Sequence, residues 1–230
     1  MKTQVLQKTQ ILHEYSEVNM RERFFELWNK LDARNPDKEY TLLQNLYSDG
    51  KRYYHNMLHV HKVLTEFDYV KHLAENPMAL ELAIFYHDAI YDPMQNDNEE
   101  ESARLLARSG VRSAIDIKII DKAYLLVMAT KHESPPLTID EKIITDCDIS
   151  SLGKSDREFD EQNYDVWQEY SFLPKDIFFQ RRKQLLQQFL DKPSIYQTDF
   201  FRKKYEVQAR KNINRAIVSL EREMLFNYIP

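Results

Sequence analysis

The sequence predicts an all-α fold, a helical bundle, and three observations carry that expectation. Glycine is scarce: there are 3 in 230 residues, where average usage of about 7% would give about 16. Sheets, hairpins and phosphate loops draw on glycine for positive φ. With only Gly50, Gly110 and Gly153, a Rossmann fingerprint or a Walker loop is excluded. Apolar residues recur at helical spacing along most of the chain, and the breaks between periodic segments fall at Asn-Pro, Asp-Gly and Pro-Pro steps, where helices stop.

Taken in order, Phe24, Leu27, Trp28 and Leu31 stand at i, i+3, i+4 and i+7 and predict an amphipathic helix over 20–33, closed by Asn35-Pro36. A second helix is expected over about 40–47, ending at Asp49-Gly50 with the glycine as a left-handed cap. A third covers 55–74, with Met57, Leu58, Val60, Val63, Leu64 and Phe67 as core contacts. Asn76-Pro77 opens a fourth, 78–87, apolar almost all round and so a central buried helix. Asn96, Asp97 and Asn98 are N-cap candidates for a helix through Ser109 that Gly110 ends; Glu99, Glu100 and Glu101 in its first turn suit the helix dipole. Further helices are expected over 115–130, from Ile139 into Asp146-Cys147-Asp148, and near 155–170, 174–190 and 199–226. With neither repeats nor a low-complexity linker, the pattern predicts a single domain over 20–226 with its core at about 50–155, preceded by an extension, 1–19.

Charge and cysteine content narrow the function classes. Lys plus Arg total 32 against 37 for Asp plus Glu, a net charge of −5, which argues against a nucleic-acid protein held by a basic face. The basic run Arg202, Lys203, Lys204, Arg210, Lys211 and Arg215 reads as a solvated helix face. Cys147 is the only cysteine, so there is no disulfide framework and no Cys-rich zinc ribbon, and it reads as a small packed hydrophobe. No stretch approaches the ~18 consecutive apolar residues of a membrane span, and the polar first 19 residues lack an apolar signal core. A cytoplasmic protein without a membrane partner is expected.

The chemistry concentrates in three segments. Of seven histidines, His13, His61 and His72 lie in polar or amphipathic contexts and read as helix-face residues. In Arg52-Tyr53-Tyr54-His55-Asn56-Met57-Leu58-His59, two histidines stand four apart and on a helix would point the same way; alone that is a weak metal signal. In Tyr86-His87-Asp88, an ionisable pair ends an apolar helix, and burying it without partners would cost several kcal/mol; bonding to backbone at a helix end is the alternative. In Thr145-Asp146-Cys147-Asp148, acids stand at the end of a short helix, where a capping role is the ordinary one. Together, two imidazoles and two carboxylates form an N2O2 set suited to a divalent ion with open water positions.

The order His, His-Asp, Asp resembles the histidine–aspartate (HD) superfamily of metal-dependent phosphohydrolases, and within it the branch described as predicted metal-dependent HD phosphohydrolases. The matching pieces are Arg52 to His59, Tyr86-His87-Asp88, the stretch Asn98-Glu99-Glu100-Glu101-Ser102-Ala103, the turn Thr130-Lys131-His132-Glu133, and Asp146 to Gly153. Late in the chain Phe179-x-x-Arg182 and Glu206-x-x-Ala209-Arg210-x-Asn212 fit as well, so the resemblance spans about 20–220.

That resemblance implies a divalent metal ion (Mn, Fe, Co, Zn or Mg) held by His59, His87, Asp88 and Asp148. Cyclic-nucleotide phosphodiesterases, distant relatives, share Tyr-His-Asn-x-x-His, in which the second histidine binds metal and the first protonates the leaving oxygen. This makes His59 the ligand and His55 the general acid or a phosphate contact. Their Asp-Leu-Ser element matches Asp148-Ile149-Ser150, leaving Asp146 as a cap or a supporting group. Alarmone hydrolases follow His-Asp with Glu-Asp; here Tyr91-Asp92 stands there, so Asp92 is either a residue that orients the attacking water or a turn acid before Pro93. His132 is expected near the substrate phosphate of a mononuclear site, with Arg52 and Lys131 as phosphate partners. Trp167 replaces the arginine expected before Glu169-Tyr170, a departure in the substrate pocket. The implied activity is hydrolysis of a phosphate ester, a nucleotide or related small molecule, by metal-activated water. The competing expectation is a non-catalytic HD-fold module that senses a nucleotide.

Overall fold

Helix boundaries in this chain follow from which backbone groups find a cap. The structure, a computed structural model, describes residues 19–226; the expected extension 1–19, apart from Asn19, and His13 within it lie outside the described residues. Among the described residues every regular element is helical and none is a strand, the all-α class that the glycine count predicts. None of the described helices is long and apolar enough to cross a membrane. Two compact units divide between Ile144 and Thr145.

The first unit holds α1 (19–30), α2 (Pro36–Tyr47), α3 (Met57–Val70) with a following 3-10 turn (Lys71–Leu73), α4 (Pro77–Tyr86), α5 (Asn98–Arg112) and α6 (Ile117–Ala129). Its centre is α4, which packs against α3, α5 and α6 and buries every residue from Ala79 to Tyr86. Phe24 of α1 stacks on Trp28 at 4.1 Å between ring centroids and meets Phe85 of α4 edge-on at 5.1 Å. The one charged residue on this apolar helix, Glu81, is buried with partners: Arg23 Nε at 2.6 Å and Lys71 Nζ at 2.7 Å. Those two cations remove the penalty of burying a lone carboxylate.

Next come α7 (Ile139–Asp148), a 3-10 turn (Ile149–Gly153), α8 (Asp156–Glu169), α9 (Lys175–Asp191) and α10 (Asp199–Phe226). In the second unit α10 packs on α9 and on the turn, which α8 also touches. Ser155 and Glu158 form a reciprocal capping box that starts α8. A side chain at Gly153 would collide with Tyr205, so glycine is required there for the turn to lie against α10.

Several boundaries differ from expectation, each for a local reason. The Asn35-Pro36 step both follows the first helix and begins α2, because proline is well placed at a first helical position. α3 begins at Met57 rather than at 55: the Asn56 side chain accepts from the Leu58 and His59 N–H groups, at 3.0 and 3.3 Å, and caps the helix there. His55 therefore precedes α3, and the i,i+4 argument for the pair does not apply. Neither Gly50 nor Gly110 takes the expected left-handed cap; Asp32, Asn35, Ala114 and His132 have positive φ instead. Gly110 lies inside α5, where a Cβ would stand 2.7 Å from the Ile120 side chain, and α5 runs on to Arg112, whose guanidinium clasps the buried Glu39 carboxylate at 3.0–3.2 Å.

Candidate metal centre

The candidate site begins where α4 ends. A helix leaves its last four carbonyls without intrahelical donors, and here each named carbonyl of the exit has a specific partner. His87 Nδ1 donates to Ile84 O at 2.8 Å, the Tyr47 hydroxyl donates to Phe85 O at 3.2 Å, and Ala89 N–H to Tyr86 O at 3.0 Å. Because a carbonyl only accepts, Nδ1 of His87 carries a proton, so when the ring is neutral Nε2 keeps its lone pair facing inward, as a metal-ligating histidine requires.

That Nε2 stands 3.1 Å from Nε2 of His59 and 3.1 Å from Oδ2 of Asp88, while His59 Nε2 and Asp88 Oδ2 are 3.4 Å apart. Asp148, the last residue of α7, completes a group of four whose ligand atoms all lie within 4.8 Å of one another. Bonds of roughly 2.0–2.3 Å to one ion would set neighbouring ligand atoms about 3 Å apart and opposite ones about 4–4.6 Å apart. The His59–His87–Asp88 triangle has the neighbouring spacing. Two neutral imidazoles and two carboxylates also sum to a charge that a divalent cation cancels. Both histidines are buried; both aspartates are partly accessible, which leaves an approach from solvent. Burial works against the charge on Asp88, but His87, by charge and hydrogen bond, and then the His55 and His59 charges hold its carboxyl well below the ordinary carboxylate range.

The loop after His87-Asp88 is tied down from α5. Ser102 Oγ accepts from Ile90 N–H at 3.0 Å and donates to Ile90 O, while the Asn98 side chain bonds Asp92 N–H and Asp92 O at 2.9 and 3.0 Å. Asn98 and Ser102 are one helical turn apart, which is the physical content of the Asn-Glu-Glu-Glu-Ser stretch. That i,i+4 pair of small polar residues beside a His-Asp segment was the available signal for a pinned loop.

The other expected site residues separate. His55 stacks on Tyr91, with ring centroids 4.1 Å apart, and stands 5.9 Å from the His59 ring. Asp92 is exposed, and its Oδ1 accepts from Met94 N–H at 2.9 Å, so it shapes the turn and stands outside the four-residue group. Lys131 and His132 also stand outside it: Lys131 Nζ is 3.7 Å from Glu133, and His132 is the left-handed residue that closes α6, its N–H bonding Ala129 O. Arg52 donates to three backbone carbonyls, described below. The basic residues of α10 have carboxylate partners at Arg210–Glu206, Lys211–Asp156 and Arg215–Asp160, and Arg202 also pairs with Asp199.

Asp146 has another task. It is fully buried and accepts from Gln197 N–H (2.7 Å), Thr198 N–H (2.8 Å) and Thr198 Oγ (2.7 Å), fixing the start of α10. The late motif is structural too. Asn212 donates to Leu152 O and Lys154 O and so holds the turn that follows Asp148, and Glu206 with Arg210 gathers the backbone of the α9–α10 connection. Cys147 is buried, as expected of a small packed hydrophobe.

Burial raises the Asp146 carboxyl to about 6 despite those three donors and the Arg202 charge. A raised carboxylate pKa means the folded protein keeps a proton that the unfolded chain has lost. Stability therefore falls as pH rises from about 4 to about 6, by up to ~3 kcal/mol for a shift of about two units. Urea midpoints of chelator-treated protein are expected to fall across that window, and to stay flat in Asp146→Asn. A wild-type midpoint that rises there contradicts the assignment.

Fold and site together define an all-α protein with a His/Asp cluster that can hold a metal ion, compatible with an HD-type domain. Comparison of the chain with family models, with curated proteins and with solved structures finds no match.

Proposed function

We propose that this protein is a metal-dependent phosphohydrolase acting on a phosphate ester, with a nucleotide or related small molecule as substrate and a cytoplasmic place of work. The observation that supports it is the convergence of His59, His87, Asp88 and Asp148 on a volume the size of one ion. A divalent ion bound there supplies Lewis acidity toward a phosphoryl oxygen and a water of lowered pKa. The chain's own residues do the rest. His87, oriented by Ile84 O, and Asp88, whose histidine neighbours favour its ionised form, would present the donor set to the ion. His55, beside the cluster but outside it, would protonate the leaving oxygen, with Tyr91 packed flat against its ring. Lys131, partly buried and with Glu133 3.7 Å from its Nζ, would meet the phosphate.

The test is a panel of phosphomonoesters, cyclic nucleotides and other phosphodiesters, run with Mn, Fe(II), Co, Mg and Zn in turn. Turnover is expected with at least one metal and is expected to vanish with chelator. Nucleotide binding without turnover under any metal would replace the enzyme with the sensing module.

A further inference from the structure

We infer that Arg52 is a positioning residue for the candidate metal centre rather than a contact to substrate phosphate, an inference that rests on the functional reading above. The guanidinium Nη1 donates to Asp88 O at 2.7 Å and to His55 O at 3.2 Å, and Nη2 donates to Ala89 O at 2.9 Å. One planar group thus joins the backbone of a ligand, the backbone of the expected general acid and the first residue of the loop beyond. The guanidinium carbon also lies 5.3 Å from the Tyr47 ring centroid and 5.6 Å from that of Tyr91. Tyr47 is itself bonded to Phe85 O, and Tyr91 is the ring stacked on His55. The same two rings that touch the site therefore also lie near the Arg52 guanidinium.

The geometry needs arginine. Three carbonyls in two chain segments are met by donors at fixed angles in one plane, and a delocalised cation can lie against aromatic rings while making those bonds. At the end of α4 the positive charge also complements the helix dipole. Three of the five guanidinium N–H groups, both on Nη1 and one on Nη2, are given to the protein's own backbone, and those bonds keep Asp88 and His55 in register. Lysine keeps the charge but offers a single nitrogen on a flexible stem, and it cannot reproduce the planar fork that meets all three carbonyls.

The experiment compares wild type with Arg52→Lys, chosen because it preserves charge and is milder for folding than truncation; thermal unfolding confirms that the variant is folded, and Arg52→Gln serves as a second variant. First, histidine-ring NMR spectra are recorded on chelator-treated protein. The His55 and His87 signals are expected to move in the variants while those of His61 and His72 stay in place. Unmoved His55 and His87 signals overturn the inference. Second, Mn(II) alone is titrated, with affinity expected to fall by about tenfold or more, the range for groups that orient metal ligands. Third, on any ester found turned over, kcat is expected to fall while KM stays within about twofold. A raised KM with unchanged kcat and unchanged Mn(II) affinity is the mark of a phosphate contact and overturns it. Should wild type take up no metal, the phosphohydrolase reading fails, and the ring spectra still decide the role of Arg52.

Discussion

Replacing His87 with alanine, or Asp88 with asparagine, is expected to abolish metal uptake and phosphate-ester hydrolysis together. Lewis-acid stabilisation of phosphoryl charge is worth several kcal/mol, so at 1.36 kcal/mol per decade the loss should be about a thousandfold or more. The two variants report differently on the fold. His87→Ala removes a buried ring and strands Ile84 O, a cost of roughly 1–3 kcal/mol. Asp88→Asn is nearly isosteric, and in metal-free protein it should lose only the attraction between that carboxylate and the neighbouring histidines. Metal content by mass spectrometry, alongside unfolding with and without added Mn(II), separates these effects. In wild type, metal at about 1,000 times Kd should add ~4 kcal/mol to stability, and both variants should lose that increment. Wild-type metal content in Asp88→Asn would dissolve the cluster; metal lost with hydrolysis intact would place the chemistry elsewhere.

What the sequence made legible, and what it hid, divides along a physical line. Glycine scarcity and apolar spacing are local properties, and they suffice for the all-α class, for α4 as the buried helix and for the approximate extent of most helices. The cluster was legible because two of its members are adjacent on the end of an apolar helix, where polar groups need a reason, and because the segment order resembles a known arrangement. Whether Asp146 or Asp148 faces the other ligands depends on the rotation of α7, which no local pattern fixes. His55 was misplaced onto α3 because Asn56 could be read as an ordinary helical residue; only its two accepted N–H bonds reveal a cap. Arg52 looks the same on paper whether it meets a phosphate or three carbonyls. Glu81, a single acid in an apolar run, is explained only by Arg23 and Lys71 from elsewhere in the fold. Glycine is the residue that sequence points to for left-handed backbone, yet Asp32, Asn35, Ala114 and His132 adopt that conformation.

The contrast between Asp146 and Asp148 gives the other large effect. Two residues apart on α7, they are expected to fail in opposite ways. Asp148→Ala removes a partly accessible ligand and should lower Mn(II) affinity and hydrolysis steeply while lowering the unfolding midpoint of metal-free protein less than Asp146→Ala does. Asp146→Ala removes a fully buried acceptor that satisfies two backbone N–H groups and the Thr198 hydroxyl at the start of α10. Orphaned buried donors cost about 1–3 kcal/mol each. Because the chain ahead of α10 can relax toward water, the net loss should be about 3–5 kcal/mol rather than the full sum. That is a large share of the ~5–15 kcal/mol a domain has. Glu206 and Arg210 pin the same connection a few residues earlier, so α10 should remain helical while its entry frays, and amide exchange should rise first at Gln197 and Thr198. Equal loss of metal in both variants with no difference in stability would mean that the two aspartates share one task, and the division of labour along α7 would have to be abandoned.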